Sequence, residues 1–242
     1  MSDFEHGYTT PQPNLNNTAY LDFESSMCGK LYLAGVEIGG KFEQIVLTPG
    51  LEGLARHHSL QVMDPAEFAH NFLTTCGEKG YRVAAYSEAE KSVLEKLAPG
   101  SGAKYLNIRT SARKWINKYR KADFEELPPL AQNSRMTKPK RRQLKNSLFS
   151  VSRLLSDEEI DGIDRPSCSA YGYDKTSQRF KVVINALGLR ENDYSRLTPV
   201  QKGKGTKALN HNRFDVRVLP RLHAVIETRE SRLISAGIGT IE

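Results

Sequence analysis

Apolar and polar residues alternate along the first part of the chain in the way that β-strands require. Between two such runs stand Gly39 and Gly40, a pair typical of a tight hairpin turn. In the first run, the alternation places Asp22 and Glu24 on the same face of the strand. The pattern predicts an antiparallel meander of three strands, at residues 19–24, 30–38 and 41–47.

Helical and strand-like patterns follow one another in the next part of the chain. Pro65 is favourable in the first turn of a helix, and Gly80 is typical of the residue that ends one. The pattern predicts helices Pro65–Glu78, Glu88–Leu97 and 110–122, with strands 81–86 and 104–108 between them. Strand–helix–strand units after a meander imply parallel strands in the same sheet. The sequence therefore predicts a mixed α/β sheet flanked by helices.

The second half of the chain is predicted to consist of helices joined by polar connections. Residues 156–175 are rich in Asp, Gly, Pro and Ser and are typical of a loop, and residues 203–207 of a flexible cationic turn. Pro220 predicts a kink or break near Leu219, because proline cannot donate the helical hydrogen bond. The predicted helices are 143–155, 179–187 and 204–226.

Charge is distributed unevenly along the chain. The formal net charge is +7, and residues 104–145 contain thirteen Lys or Arg against three acidic residues. Such a basic excess attracts polyanions, because each neutralised phosphate releases counterions. The alternative is a solvated helix face with a flexible basic loop. We expect a flexible arm at 1–17 and one domain over 18–242, with this charge on a helical and loop insertion at about 110–200.

Composition points to a cytoplasmic protein without a membrane partner. No stretch approaches the roughly 20 apolar residues that span a bilayer, and the first thirty residues are too polar for a signal or transit peptide. The cysteines Cys28, Cys76 and Cys168 lack the number and spacing of a disulfide framework or a zinc site.

The acidic pair of the first strand is the first candidate for chemistry. Two carboxylates a few ångströms apart repel each other unless a cation neutralises them. Their hard oxygen ligands suit Mg²⁺ or Mn²⁺ better than zinc. Taken alone, Asp22 and Glu24 are also compatible with a solvated strand end.

Two later motifs add possible partners. His211 and Asp215 are four residues apart in a predicted helix and so share a face, where a histidine beside a carboxylate can act as a general base. Glu88 and Glu90 lie at the start of a predicted helix that directly follows a predicted strand, a position that can face a pocket above the strand ends. Acidic residues are also favoured there by the helix dipole alone.

The order of these motifs resembles the DEDD exonuclease superfamily of RNase-H-like folds, and more narrowly the predicted RNase-H-like exonucleases grouped with RecB-associated proteins. The similarity covers residues 18–98 and 204–226. It is carried by residues 20–24 (YLDFE), 85–94 (AYSEAEKSVL) and 209–216 (LNHNRFDV). The resemblance implies that the mixed sheet is RNase-H-like. It also implies that Glu90 takes the place of an acid that is an aspartate in most of the superfamily.

The resemblance further implies a two-metal nuclease, acting as a 3'-5' exonuclease. Asp22, Glu24, Glu90 and Asp215 would hold two Mg²⁺ or Mn²⁺ ions, and His211 would take a proton from the attacking water. Glu88 is the alternative to Glu90 if the helix begins one turn differently. The expected partner is DNA or RNA, with backbone contacts from Arg113, Lys114, Lys118, Lys140, Arg141 and Arg142. Within the same basic segment Trp115, Tyr105 or Tyr119 would stack a base, although a lone tryptophan is more often part of a core.

Two other hypotheses fit the same residues. The first is a binding module of the same fold that lacks catalysis and acts with a protein partner in a larger nucleic-acid-processing complex. The second is an unrelated α/β scaffold whose basic loop binds a protein, which predicts that the four acidic residues lie far apart.

Overall fold

The computed structural model of the chain describes residues 17–128, 130, 137, 144–166 and 175–235. The strands are β1 (Thr18–Ser25), β2 (Leu31–Ile38), β3 (Lys41–Val46), β4 (Gln61–Val62), β5 (Arg82–Ala85) and β6 (Tyr105–Asn107). The helices are α1 (Glu52–His57), α2 (Pro65–Glu78), α3 (Glu88–Leu97), α4 (Ile108–Trp115), α5 (Lys121–Glu126), α6 (Leu148–Ser152), α7 (Lys175–Gly188) and α8 (Pro199–Ser235). A π-helical turn, Ile116–Arg120, joins α4 to α5, and a 3-10 turn, Tyr194–Arg196, precedes α8.

The six strands form one mixed sheet in the order β4-β3-β2-β1-β5-β6. Strands β1, β2 and β3 pair antiparallel, and the positive φ angles of Gly39 (57°) and Gly40 (78°) make the predicted hairpin turn. Strand β5 pairs parallel with both β1 and β6. An antiparallel meander continued by parallel strands and flanked by helices is an RNase-H-like α/β fold, which confirms the predicted fold class.

The central strand β1 contributes to an apolar cluster on each side of the sheet. Leu21 packs with Phe68 and Phe72 of α2 and with Leu94 of α3. On the opposite face, Tyr20 belongs to the cluster formed by helices α4, α6 and α8. Because side chains alternate along a strand, the acids that follow Tyr20 at every second position also face α8.

Helix α8 lies unusually close to the sheet at Gly35 of β2. A Cβ atom on Gly35 would lie 2.3 Å from Oδ1 of Asn212 and 2.7 Å from Cγ2 of Val216. Gly35 is paired with Asp22 in the register of β1 and β2. The absence of a side chain at this glycine therefore brings α8 against the strand that carries the acidic pair.

The course of α8 differs from the sequence prediction in two places. Residues 203–207 are not a turn, because the helix already begins at Pro199, and Gly205 lets it approach Leu54 (2.9 Å from a built Cβ). The chain is helical across Pro220 and continues to Ser235, so of the predicted kink or break near Leu219, the break is wrong. Leu219 and Leu222 on either side of the proline are fully buried, so their packing supports the helix across the missing hydrogen bond.

Other elements differ from prediction for local reasons. Trp115 is 1 % exposed and packs in the α4–α6–α8 cluster, so its predicted alternative as a base-stacking residue is wrong. In the described part of the predicted helix 143–155, residues 144–145 are helical and the helix is interrupted at 146–147. A new short helix, α6, follows, because Ser147 caps its start by accepting from the Ser150 N–H. Short elements α1 and β4 carry too few residues for a periodic signal. Residues 1–16 of the predicted arm and residues 167–174 of the predicted loop lie outside the described residues.

Among the described residues, the helices lack the combination of length and apolar composition that crossing a membrane requires.

We expect Gly35→Ala to destabilise the fold by about 1–3 kcal/mol, because the added methyl group must displace Asn212 and Val216 of α8. Urea unfolding followed by circular dichroism measures the change. The control is Gly77→Ala in α2, where the space around the glycine is open. That substitution should leave stability unchanged or raise it by up to about 1 kcal/mol. Equal losses in the two variants would contradict the role given to Gly35.

Candidate metal centre

Three elements bring ionisable side chains together at the carboxyl ends of β1 and β5. Strand β1 supplies Asp22 and Glu24, helix α3 supplies Glu90 from its first turn, and helix α8 supplies His211 and Asp215. The carboxyl edge of parallel strands is where α/β sheets form ligand sites, because loops and helix ends open a crevice there. All five of these predicted site residues therefore lie at one edge of the sheet.

The tightest part of the group consists of Glu24, His211 and Asp215. One ligand atom from each lies within 4.8 Å of the other two. His211 Nε2 is 3.4 Å from Oδ2 of Asp215 and 3.8 Å from Oε1 of Glu24. These side chains are only 12–15 % exposed. Two acids and an imidazole in such a space can share a cation.

Asp22 is held by an amide that the sequence motifs did not reveal. Asn212 Nδ2 donates to Oδ2 of Asp22 at 2.8 Å, and Gln44 Nε2 donates to Oδ1 of Asn212 at 2.9 Å. Gln44 also donates to the main-chain carbonyl of Leu209 at 2.9 Å. These hydrogen bonds connect β3, α8 and β1, and they orient the Asp22 carboxylate relative to His211.

The buried positions of α8 contain a signal for Asn212. Residues Ala208, Asn212 and Val216 follow one another at four-residue spacing on a buried side of the helix, and Asn212 is 0 % exposed. A polar residue in an apolar stripe needs a hydrogen-bonding partner. The sequence thus contains the anomaly, but it does not identify Asp22 and Gln44 as the partners.

Glu90 is oriented by the start of helix α3. Ser87 caps this helix by accepting from the Ala89 N–H at 3.2 Å, and its hydroxyl lies 2.8 Å from Oε2 of Glu90. A serine followed by a glutamate three residues later forms a capping box, which fixes the rotamer of the glutamate. Glu88 is exposed instead and accepts a hydrogen bond from Asn107. Of the two predicted candidates for the third acid, the structure therefore brings Glu90 to the group.

The carboxylates of the group repel one another in a setting that excludes water. Burial raises the pKa of Asp22 to about 6, against the opposing effect of the hydrogen bond from Asn212. Burial, and then the charge of Asp22, raises the pKa of Glu90 to about 7. Burial likewise raises the pKa of Glu24, with Asp22, Asp215 and Glu90 adding to the effect. A group whose members disfavour each other's charge is suited to a cation.

Electrostatic coupling therefore joins Asp22 and Glu90 to the tighter cluster. The alternative of an unrelated scaffold predicted that the four acids lie far apart, and that prediction is wrong. A binding module of the same fold and an active enzyme are both compatible with the arrangement.

His211 is uncharged in this setting. Burial, with a smaller contribution from the positive charge of Arg179, lowers the pKa of His211 to about 3. Arg179 also lowers the pKa of Glu24, in opposition to the acids. It belongs to α7, which packs against β1 and α8. Arg179 is thus a cation of the site that the sequence motifs did not indicate.

The predicted nucleic-acid contacts divide into two groups. Arg113, Lys114 and Lys118 are exposed on α4 and the π-helical turn after it. The charges of Arg113 and Asp215 both act on the Tyr86 hydroxyl. Lys140, Arg141 and Arg142 lie outside the described residues.

Comparison of the chain with protein-family models, with curated proteins and with solved structures finds no match. The function must therefore be inferred from the chemistry of the site.

The raised pKa of Glu90 predicts a pH dependence for the metal-free protein. Its carboxyl binds a proton more tightly in the folded chain, so its contribution to stability is present in acid and lost as the pH rises through about 7. Between about pH 5 and pH 8, Glu90→Gln should therefore gain about 1–3 kcal/mol relative to the unsubstituted protein. Urea unfolding in EDTA at several pH values measures the difference.

Glu88→Gln is the matched control, because Glu88 is exposed on the same helical turn. Its stability relative to the unsubstituted protein should change little over the same pH range. A parallel pH response of the two variants would show that Glu90 is not part of the coupled group.

The bridge through Asn212 predicts a loss of metal affinity when the amide is removed. Asn212→Leu keeps the branched shape of the side chain but leaves Asp22 without its amide donor. We expect Mn²⁺ affinity to fall by about 10- to 100-fold, as for other residues that orient metal ligands. Isothermal titration calorimetry measures the affinity. Asn210→Leu, on the exposed side of the same helix, is the control and should bind Mn²⁺ normally.

Proposed function

We propose that this protein is a metal-dependent nuclease that hydrolyses phosphodiester bonds of nucleic acid and acts as a 3'-5' exonuclease. The observation that carries the proposal is the meeting of Asp22, Glu24, Glu90, His211 and Asp215 in one coupled group. The first and last of these residues are almost two hundred positions apart in the chain. The motifs that they belong to are those whose order resembles the DEDD exonucleases.

The donor set fits divalent cations. Asp22, Glu24, Glu90 and Asp215 would hold two Mg²⁺ or Mn²⁺ ions, because carboxylate oxygens are the ligands that these ions prefer. The ions would also remove the repulsion that adds to the effect of burial in raising the pKa values of Glu24 and Glu90. Bound ions of this kind polarise the phosphate ester and lower the pKa of water.

His211 would act as the general base. Its imidazole is neutral over the physiological range because burial disfavours the charged form, so it can accept a proton from water. Oδ2 of Asp215, 3.4 Å from Nε2, would stabilise the imidazolium that forms. The four-residue spacing of the two residues keeps them on one face of α8.

Arg179 would contact the phosphate of the nucleic acid rather than a nucleobase. It is the described cation whose charge acts on both Glu24 and His211. A guanidinium group matches the geometry of phosphate oxygens and stays charged at all relevant pH values. It would stabilise the charge that develops on the phosphate during hydrolysis.

The test is cleavage of end-labelled single-stranded DNA and RNA in Mn²⁺ or Mg²⁺. We expect stepwise shortening from the 3' end, abolished by EDTA, and a rate at least about 100-fold lower for Asp22→Asn. Glu88→Gln should retain activity, because Glu88 does not join the acidic group.

Cleavage that persists in EDTA or in Asp22→Asn would refute the metal mechanism. If the DNA or RNA stays intact but binds to the protein in a salt-dependent way, the catalytically inactive binding module is the correct alternative. If it is neither cleaved nor bound, nucleic acid is not the partner.

A further inference from the structure

The outer face of helix α8 carries a regular row of arginines. Arg213, Arg217 and Arg221 follow one another at four-residue spacing, so successive side chains lie on one side of the helix about 6 Å apart along its axis. Like charges at this spacing destabilise a helix. We call this row the arginine ridge.

The charge of this helix is not that of an ordinary solvated surface. Helix α8 contains eight Lys or Arg against three acids, and one of the three, Asp215, faces the metal centre. Exposed helix faces usually mix both signs of charge, which supports the helix and its solubility. A face of a single sign indicates attraction of an oppositely charged partner.

The ridge is accessible to solvent. Arg213 and Arg221 are exposed, and Arg217 is partly exposed. Among the residues that the structure describes, none forms a hydrogen bond or an ion pair with the side chains of these three arginines. Arg213 lies over the ring of Phe42, with its guanidinium carbon 5.8 Å from the ring centre. Half-buried Glu37 is the carboxylate whose charge interacts with Arg217 and Arg221. One glutamate leaves the row with a positive excess.

A groove runs beside the ridge, between α8 and residues 158–166. It contains a cavity of about 250 Å³ bordered by Arg213, Arg217 and Arg165, and another of about 350 Å³ bordered by Arg221 and Arg229. Glu158, Glu159 and Asp164 border the side of the groove opposite to α8. The positive charge is thus concentrated on the α8 side.

The ridge faces away from the metal centre. Arg213 is two residues from His211 and two from Asp215, and at about 100° per residue this places it on the far side of the helix from both. A ligand on the ridge therefore leaves the acidic group free.

We propose that the arginine ridge is an exosite for the phosphate backbone of a single-stranded nucleic acid, at a distance from the bond being cleaved. The proposal deepens the proposed nuclease function and rests on it for the identity of the ligand. Guanidinium groups bind phosphate oxygens in pairs, and a regular row of them fits a polymer with regularly repeated phosphates. Contacts of this kind bind the backbone without reading its sequence.

Binding is tested with fluorescein-labelled oligodeoxythymidine in EDTA, which separates it from cleavage. Arg213→Gln with Arg221→Gln removes two exposed charges of the ridge. We expect the affinity to fall and the slope of log affinity against log salt to become shallower by about 1.4, since each phosphate contact on a single strand contributes about 0.7. The matched control is Lys79→Gln with Lys96→Gln, two exposed lysines, one directly after α2 and one on α3, which should bind as the unsubstituted protein does.

Arg213→Lys with Arg221→Lys should restore the salt slope, because the charges return. An unchanged slope in the glutamine variant, an equal change in the lysine control, or no binding by the unsubstituted protein would overturn the exosite. Displacement of the DNA by polyglutamate as readily as by unlabelled DNA would also overturn it, in favour of an acidic protein partner.

Cleavage assays distinguish failure of the exosite from failure of the nuclease proposal. In Mn²⁺, the ridge variant should cleave a dinucleotide normally but show a higher KM on a long strand. If the ridge variant shows the shallower salt dependence of binding but no form of the protein cleaves the strand, the exosite is supported and the nuclease proposal is refuted. Normal KM on the long strand would refute the exosite and leave the nuclease standing.

Discussion

The seating of helix α8 on the sheet is the constraint on which the rest of the structure depends. Gly35 has no side chain, and this allows Asn212 to enter the space between α8 and strand β2. There the amide receives a hydrogen bond from Gln44 and donates one to Asp22. The same contact sets the distance and the rotation of the helix. His211 and Asp215, on either side of Asn212 in sequence, are thereby held beside the end of β1.

The coupled acids make the metal-free site unfavourable for the fold at neutral pH. Because the pKa values of Asp22 and Glu90 are raised, the folded protein loses stability as these carboxylates ionise. The large apolar clusters on both sides of the sheet offset this loss. Removing one partner from a buried hydrogen-bond network destabilises the fold by more than the complete network stabilises it, because the remaining polar group is left unsatisfied. Asn212 and Ser87 are therefore as necessary as the acids that they orient. A ligand that neutralises the acids would bind the folded chain in preference to the unfolded one.

Local signals explain how much the sequence could predict. Alternation and the Gly39-Gly40 turn were sufficient for β1 to β3, and capping signals were sufficient for α2 and α3, because these features depend on neighbouring residues. Gly203 and Gly205 indicated a turn, but packing against Leu54 makes the second glycine part of a helix. Tertiary contacts of this kind override propensity and have no local pattern.

The candidate site divides in the same way. Strand alternation put Asp22 and Glu24 on one face, and four-residue spacing did the same for His211 and Asp215. The order of these motifs along the chain was needed to select them as a site. The choice between Glu88 and Glu90 depended on where α3 begins, and Ser87 decides it. Gln44 and Arg179 could not be predicted, because their importance follows from contacts across the sheet and between helices.

The two faces of α8 have opposite chemical requirements, and one rigid element can satisfy both only by keeping them apart. A guanidinium group next to Glu24 and Asp215 would neutralise the acids and compete with a cation for them. Arginines on the far side of the helix lie about 10 Å or more from the acids, where water and salt screen their charge. In the proposed nuclease, the helix can therefore attract a polyanion without occupying its own metal centre. Arg179, whose charge does act on Glu24 and His211, comes from a different helix, so its distance from Glu24 can be set independently of the ridge.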